Sequence, residues 1–188
     1  FEKLLRLGLK GAQEREIIRV IMHCLLTEKG YNPYYAHLLI RLCSHEHNHK
    51  FTLQYCMWDH FREVPSMDAR KVNNLAKCLA ACICSFSLSL AVLKAVEWEG
   101  AARGTMDDRT IFCFRIAFEA ILLQPEERQV ADVFHRMSGM KDQQKCKDGI
   151  MMFLHAHCTG GVLGKGVDVK QLRARVRVAE RAIKGRGD

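Results

Sequence analysis

Apolar residues recur at helical spacing along almost the whole chain. Ile17, Ile18, Ile21, Cys24 and Leu25 fall on one stripe, predicting a helix that ends near Gly30 with Lys29 in its last turn, where a cation suits the helix dipole. Asn32 before Pro33 predicts a sharp new start, because Asn caps well and Pro at the first helical position sacrifices an N–H that would have gone unpaired. Tyr35, Leu38, Leu39 and Leu42 form the buried face of this second helix. Ser44 to Lys50 is unbroken polarity and reads as a solvated turn. Phe51, Tyr55, Trp58 and Phe61, spaced by four, three and three, mark an aromatic stripe on a third helix, and such a stripe reads as core. A loop around Pro65 follows, with Asp68 placed to cap a helix carrying Val72, Leu75, Leu79, Cys82, Ile83 and Phe86. Ser87 to Trp98 predicts a short returning helix.

Gly100 to Gly104 is a small-residue linker. Beyond it Asp107 and Asp108 open a helix with Ile111, Phe114, Phe118, Ile121 and Leu122, and Gln124 to Glu127 open another with Val130, Val133 and Phe134. A helix from about Gln143 to His157, a flexible break TGGVLGKG and a last helix complete the chain. The last helix carries Val169, Leu172, Val176, Ala179 and Ile183 at spacings of three, four, three and four, a narrow packing seam with arginines outside it. Roughly nine helices with short joints and no alternating strands define an all-α class. Consecutive helices with wide apolar faces suggest stacked antiparallel hairpins, solenoid-like although no fixed sequence period is present. The expected division is a helical repeat domain over residues 1–98, a linker over 99–106 and a C-terminal helical extension over 107–188. FEKLLRLG at the start reads as the second half of an amphipathic helix, so the chain is expected to be part of a longer protein.

Composition sharpens this. With 188 residues, 48% of them hydrophobic, the chain can bury a generous core, and its three prolines all fall at breaks between periodic segments. No apolar run approaches a membrane span. The nine cysteines form no C-x-x-C pair, and Cys24, Cys43, Cys56, Cys78, Cys82, Cys113 and Cys158 sit in apolar helical stretches, as small hydrophobes in a reducing compartment do. The net charge of +8 is uneven: from Gly164 onward eight Lys and Arg face only Asp168, Glu180 and Asp188, giving +5 in the tail. Lys170, Arg173, Arg175, Arg177, Arg181 and Lys184 are therefore the candidate contacts for a polyanion, with RNA the first choice and a merely solvated helix face the alternative.

Catalytic patterns fare less well. His45, Glu46 and His49 satisfy H-E-x-x-H, which on one helix would place two imidazoles beside a zinc ion with Glu46 as general base. The motif falls in the polar turn and lacks a third ligand at the extended position, so a zinc hydrolase is only a remote alternative. His155, His157 and Cys158 spread around their helix. Gly164, Lys165 and Gly166 lack the Ser or Thr and the preceding strand of a phosphate loop, and no serine or cysteine sits at a nucleophile elbow. No catalytic residue, metal or cofactor is expected.

The segments FEKLLRLGLKGAQEREIIRV, YNPYYAHLLIRLC and FTLQYCMWDHFRE resemble the C-terminal MA-3 domain of the nucleolar MIF-4G domain protein family, specifically over Phe1 to Glu63 and more loosely through SLSLAVLKAVEW. The resemblance implies a HEAT-like helical-hairpin domain without enzymatic activity in the nucleus and nucleolus. Its implied role is in small-subunit ribosome biogenesis, in processing of the 18S rRNA precursor, with pre-ribosomal proteins and rRNA as partners. It further implies a DEAD-box RNA helicase of the initiation-factor-4A type, docked mainly on an upstream MIF-4G domain. In related MA-3 modules acidic residues of a Pro-containing loop carry the helicase contact. The matching residues here are Glu63, Pro65 and Asp68. The rival within the same fold is a translation regulator that binds the initiation helicase directly.

Overall fold

The computed structural model describes residues 2–6, 8, 11–140, 143–159 and 168–185. Among these no strand occurs, and the expected all-α stack of helical hairpins is found. A short helix α1 (Glu2–Leu5) precedes α2 (Ala12–Thr27), α3 (Pro33–His45), α4 (His47–Glu63) and α5 (Ala69–Cys84). The chain continues as α6 (Glu99–Arg103), α7 (Asp108–Leu122), α8 (Glu127–His135), α9 (Gln144–Cys158) and α10 (Val169–Ile183). The expected break TGGVLGKG lies almost wholly outside the described residues.

Helix starts follow local chemistry. Asn32 accepts from the Tyr34 N–H at 3.1 Å, Asp68 from Lys71 at 2.8 Å, Asp107 from Arg109 and Thr110 at 3.0 Å each, and Asp168 from Lys170 at 2.8 Å. Each side-chain oxygen satisfies a backbone donor that the first helical turn leaves without a partner. The end of α2 is decided from a distance. It stops at Thr27, short of the expected Gly30, and Lys29 lies beyond its last turn. Arg70 on α5 donates to the carbonyls of Thr27 and Glu28, both at 2.8 Å, and the buried Asn74 donates to Leu25 at 3.0 Å and Glu28 at 3.2 Å. Side chains of α5 thus take the carbonyls that further helix would have used.

Four other expectations change. The polar stretch Ser44 to Lys50 is not a turn: α3 runs through His45, Glu46 alone forms the joint in extended conformation, and α4 starts at His47. The aromatic stripe of α4 is not core. Phe51 and Tyr55 are 52% and 57% exposed, Trp58 is half-buried, and only Phe61 is buried; the inward face is His49, Thr52, Leu53, Cys56, Met57 and Phe61. The SLSLAVLKAVEW segment forms a 3₁₀ turn at Leu90–Ala95, capped by Ser89, rather than an α-helix. The small-residue segment after it is helical as α6 and ends at Gly104, whose φ of 70° is the left-handed conformation that glycine adopts without steric cost.

One hydrophobic core runs from Ile17 to Ile183. Helix α5 lies at its centre, packed on α2 and α3 on one side and on α7 and α8 on the other. Trp98 then ties the later helices in. It is buried, its indole N–H donates to Leu93 at 3.0 Å, and its ring lies 5.2 Å from Phe114 and 5.4 Å from Phe153. Helix α9 approaches it through Gly149, where a Cβ would stand 2.2 Å from the Trp98 Cβ. Helix α10 closes the stack against α7, α8 and α9.

Candidate partner and RNA surfaces

Glu63, Pro65 and Asp68 share one exposed corner. Glu63 ends α4 with its carboxylate 3.1 Å from His60 Nδ1, and Pro65 stands in a 3₁₀ turn, Val64–Ser66, whose Ser66 hydroxyl donates to the Glu63 carbonyl at 2.8 Å. Beneath it Val64 and Met67 are buried, and Arg109 of α7 donates to the Met67 carbonyl. The corner is therefore held from below while its carboxylates face solvent. Asp68 also lies 3.4 Å from Arg70. The Lys71 N–H, and after it Arg70, hold its carboxyl below the ordinary aspartate range. Its charge is thus fixed at neutral pH while one of its oxygens is engaged in capping.

The basic helix α10 divides its cations between two faces. At 100° per residue Lys170, Arg173, Arg177, Arg181 and Lys184 fall within about 80° of one another, a row roughly 21 Å long, and all five are exposed. Arg173 donates to the Thr159 carbonyl at 2.9 Å, and Arg181 lies 3.8 Å from Glu127. Arg175 points the other way. It is 9% exposed, donates to the Pro125 carbonyl at 3.2 Å and lies 3.9 Å from Glu127. Its role is to hold α10 on the start of α8, and the candidate RNA row is the other five. The seam is wider than the sequence spacing suggests, because Arg175 and the buried Val178 flank Leu172, Val176, Ala179 and Ile183.

The histidine patterns do not converge. His45 ends α3 and His49 lies in the first turn of α4, buried, with the extended Glu46 between them; the one-helix geometry that H-E-x-x-H requires is broken at its own glutamate. Among the described residues no three His, Cys, Asp or Glu come together to hold an ion. His155 pairs with Glu180 across α9 and α10 at 2.5 Å. His157 is turned inward, and burial followed by the Arg115 charge pushes its pKa down. Burial pushes the Cys43, Cys113 and Cys158 thiols up to about 12, so they stay protonated and unreactive.

A surface that sequence reasoning misses lies between α2 and α4. Arg15 and Arg19 border a depression with Asn48, Thr52, Phe51 and Tyr55. The signal is present in the spacing: Phe51, Tyr55 and Trp58 lie opposite Leu53, Cys56 and Met57 around the helix, and both stripes cannot face the core.

Known proteins are similar to this chain in sequence. The MA3 domain family matches residues 1–89. The nucleolar MIF4G domain-containing protein 1 of Mus musculus is 34% identical over 193 aligned residues, covering 99% of this chain, and that of Homo sapiens is 33% identical over 188. Suppressor of glycerol defect protein 1 of Schizosaccharomyces pombe is 37% identical over 106 residues, 52% of the chain. The chain spans 21% of the mouse and human relatives. The match at residues 1–89 and an alignment that continues past them over 99% of the chain show that the chain is similar, along nearly its whole length, to a segment of the nucleolar MIF4G domain-containing proteins, with the MA3 domain in its first half.

Proposed function

We propose that the chain is a non-catalytic interaction domain of a nucleolar ribosome-biogenesis factor, acting in processing of the 18S rRNA precursor together with a DEAD-box RNA helicase. The observation that carries the reading is the row of five cations on the outer face of α10. A solvated face needs no alignment of charge, whereas a row with one cation per helical turn suits the repeating charge of a nucleic-acid backbone. The names of the relatives support the nucleolar location, and the Glu63–Pro65–Asp68 corner supports a contact with the helicase. In this reading α10 holds pre-rRNA, and the corner faces the helicase or a neighbouring assembly protein.

Crosslinking of the domain in cells tests the whole of it, the expected neighbours being pre-rRNA of the small subunit and its assembly proteins. Recovery of translation-initiation components instead, with the isolated chain clamping an initiation-type helicase, would favour a translation regulator of the same fold. For α10 itself, the triple change Lys170→Glu, Arg173→Glu and Arg177→Glu is expected to weaken pre-rRNA binding and to lower the slope of log K against log salt by about one for each phosphate that is no longer neutralised. Helicity by circular dichroism should be retained, and an unchanged slope would remove α10 from the interface.

A further inference from the structure

Helix α4 presents two large aromatic rings to solvent while its opposite face fills the core. Phe51 and Tyr55 are 52% and 57% exposed, and they continue a line of rings. His47 stands edge-on to Phe51 at 5.1 Å, Tyr55 edge-on to Trp58 at 5.3 Å, and the Lys94 ammonium lies 5.2 Å from the Trp58 ring centre. From His47 to Trp58 the line is about 16 Å long. Across from it on α2 stand Arg15 and Arg19, both exposed, the latter 2.6 Å from Glu16. Between the two helices is a depression of about 390 Å³.

We propose that this groove takes a short single-stranded RNA segment, its bases stacked on Phe51 and Tyr55 and its phosphates held by Arg15 and Arg19. Every base has a π-face that stacks on an aromatic ring, and guanidinium forks match phosphate oxygens. The exposed Asn48 amide offers both a donor and an acceptor to a base edge. An amphipathic peptide helix fits less well: docking in a groove relies on apolar anchors in pockets, and no Leu, Ile, Val or Met lines this one. The site is on α2 and α4, whereas α10 packs on α7, α8 and α9, so it stands or falls separately from the α10 row.

The test is binding of a fluorescein-labelled oligouridine of about ten nucleotides to the whole chain, with and without the triple α10 reversal. In both backgrounds Phe51→Ala with Tyr55→Ala should weaken binding about tenfold or more, whereas Phe51→Tyr with Tyr55→Phe, which keeps both rings, retains wild-type affinity. Arg15→Ala should lower the salt slope by about one. Because both rings are more than half exposed, the thermal midpoint of the alanine pair should match the wild type. Affinity unchanged in the alanine pair overturns the proposal, as does equal loss in the ring-conserving pair. A labelled glutamate-rich peptide that binds in a Phe51- and Tyr55-dependent way where the oligouridine does not also overturns it, and assigns the groove to an acidic protein partner.

Discussion

Asp68 serves two ends with one side chain. As the cap of α5 it is bonded to the Lys71 N–H, and as an exposed carboxylate beside Pro65 it is half of the proposed helicase contact. Asn caps as well as Asp but carries no charge, so Asp68→Asn separates the two. Combined with Glu63→Gln, it is expected to leave the thermal midpoint at neutral pH close to wild type while weakening helicase binding in a pull-down; undiminished binding would exclude the corner. Asp68→Ala should lower the midpoint. The pH dependence has a definite sign: because the folded carboxyl is held below the ordinary value of 3.8, its stabilisation is present above that value and lost as pH falls through the folded one. The advantage of wild type over Asp68→Ala should therefore shrink in acid. At this scale the caps at Asn32, Asp68 and Asp107 are legible in the sequence, since a cap is settled within a few residues. Arg175 is not, because Arg173, Arg175 and Arg177 are alike in type and only the docking of α10 on α8 separates them.

Helices show the same division. The existence and order of α2 to α5 and α7 to α10 follow from apolar periodicity, yet the end of α2 depends on Arg70 and Asn74, more than forty residues away. Asn74 is fully buried, and its amide satisfies the Leu25 carbonyl away from water and shares the Glu28 carbonyl with Arg70. Replacing it with Ala is expected to cost about 1–3 kcal/mol, read as a lower urea midpoint at unchanged slope; an unchanged midpoint would show that α2 ends without it. The aromatic stripe of α4 turns outward, against the sequence expectation, for a related reason. Hydrophobicity reports that a face is apolar, and when two faces of one helix are both apolar, neighbouring helices choose which is covered. Here α4 packs on α2 and α3 with Leu53 and Met57 buried and Phe51 and Tyr55 left outside.

Across the whole molecule the question is whether residues after the linker form a separate unit. The buried faces of α5 and α7 meet, Phe61 of α4 lies 5.3 Å from Phe114 of α7, and Trp98 is enclosed by Phe114, Phe118 and Phe153. A fragment cut after Met106 would expose that side of α5 and strip the rings from Trp98, a large part of whose burial, worth on the order of 3–5 kcal/mol for such a side chain, would disappear. It is expected to unfold with a lower urea midpoint than the whole chain and to bind a hydrophobic dye. Equal midpoints would make the first block an independent domain. By itself the sequence determined the class, the side-chain-capped helix starts, the family resemblance and the basic tail, because periodicity, capping and charge content act over a few residues. Only the tertiary structure decided which apolar stripe of α4 is core, which arginine of α10 is structural, where α2 stops and that H-E-x-x-H straddles a joint. Those outcomes depend on which surfaces meet, and that is settled by packing between helices far apart in the chain.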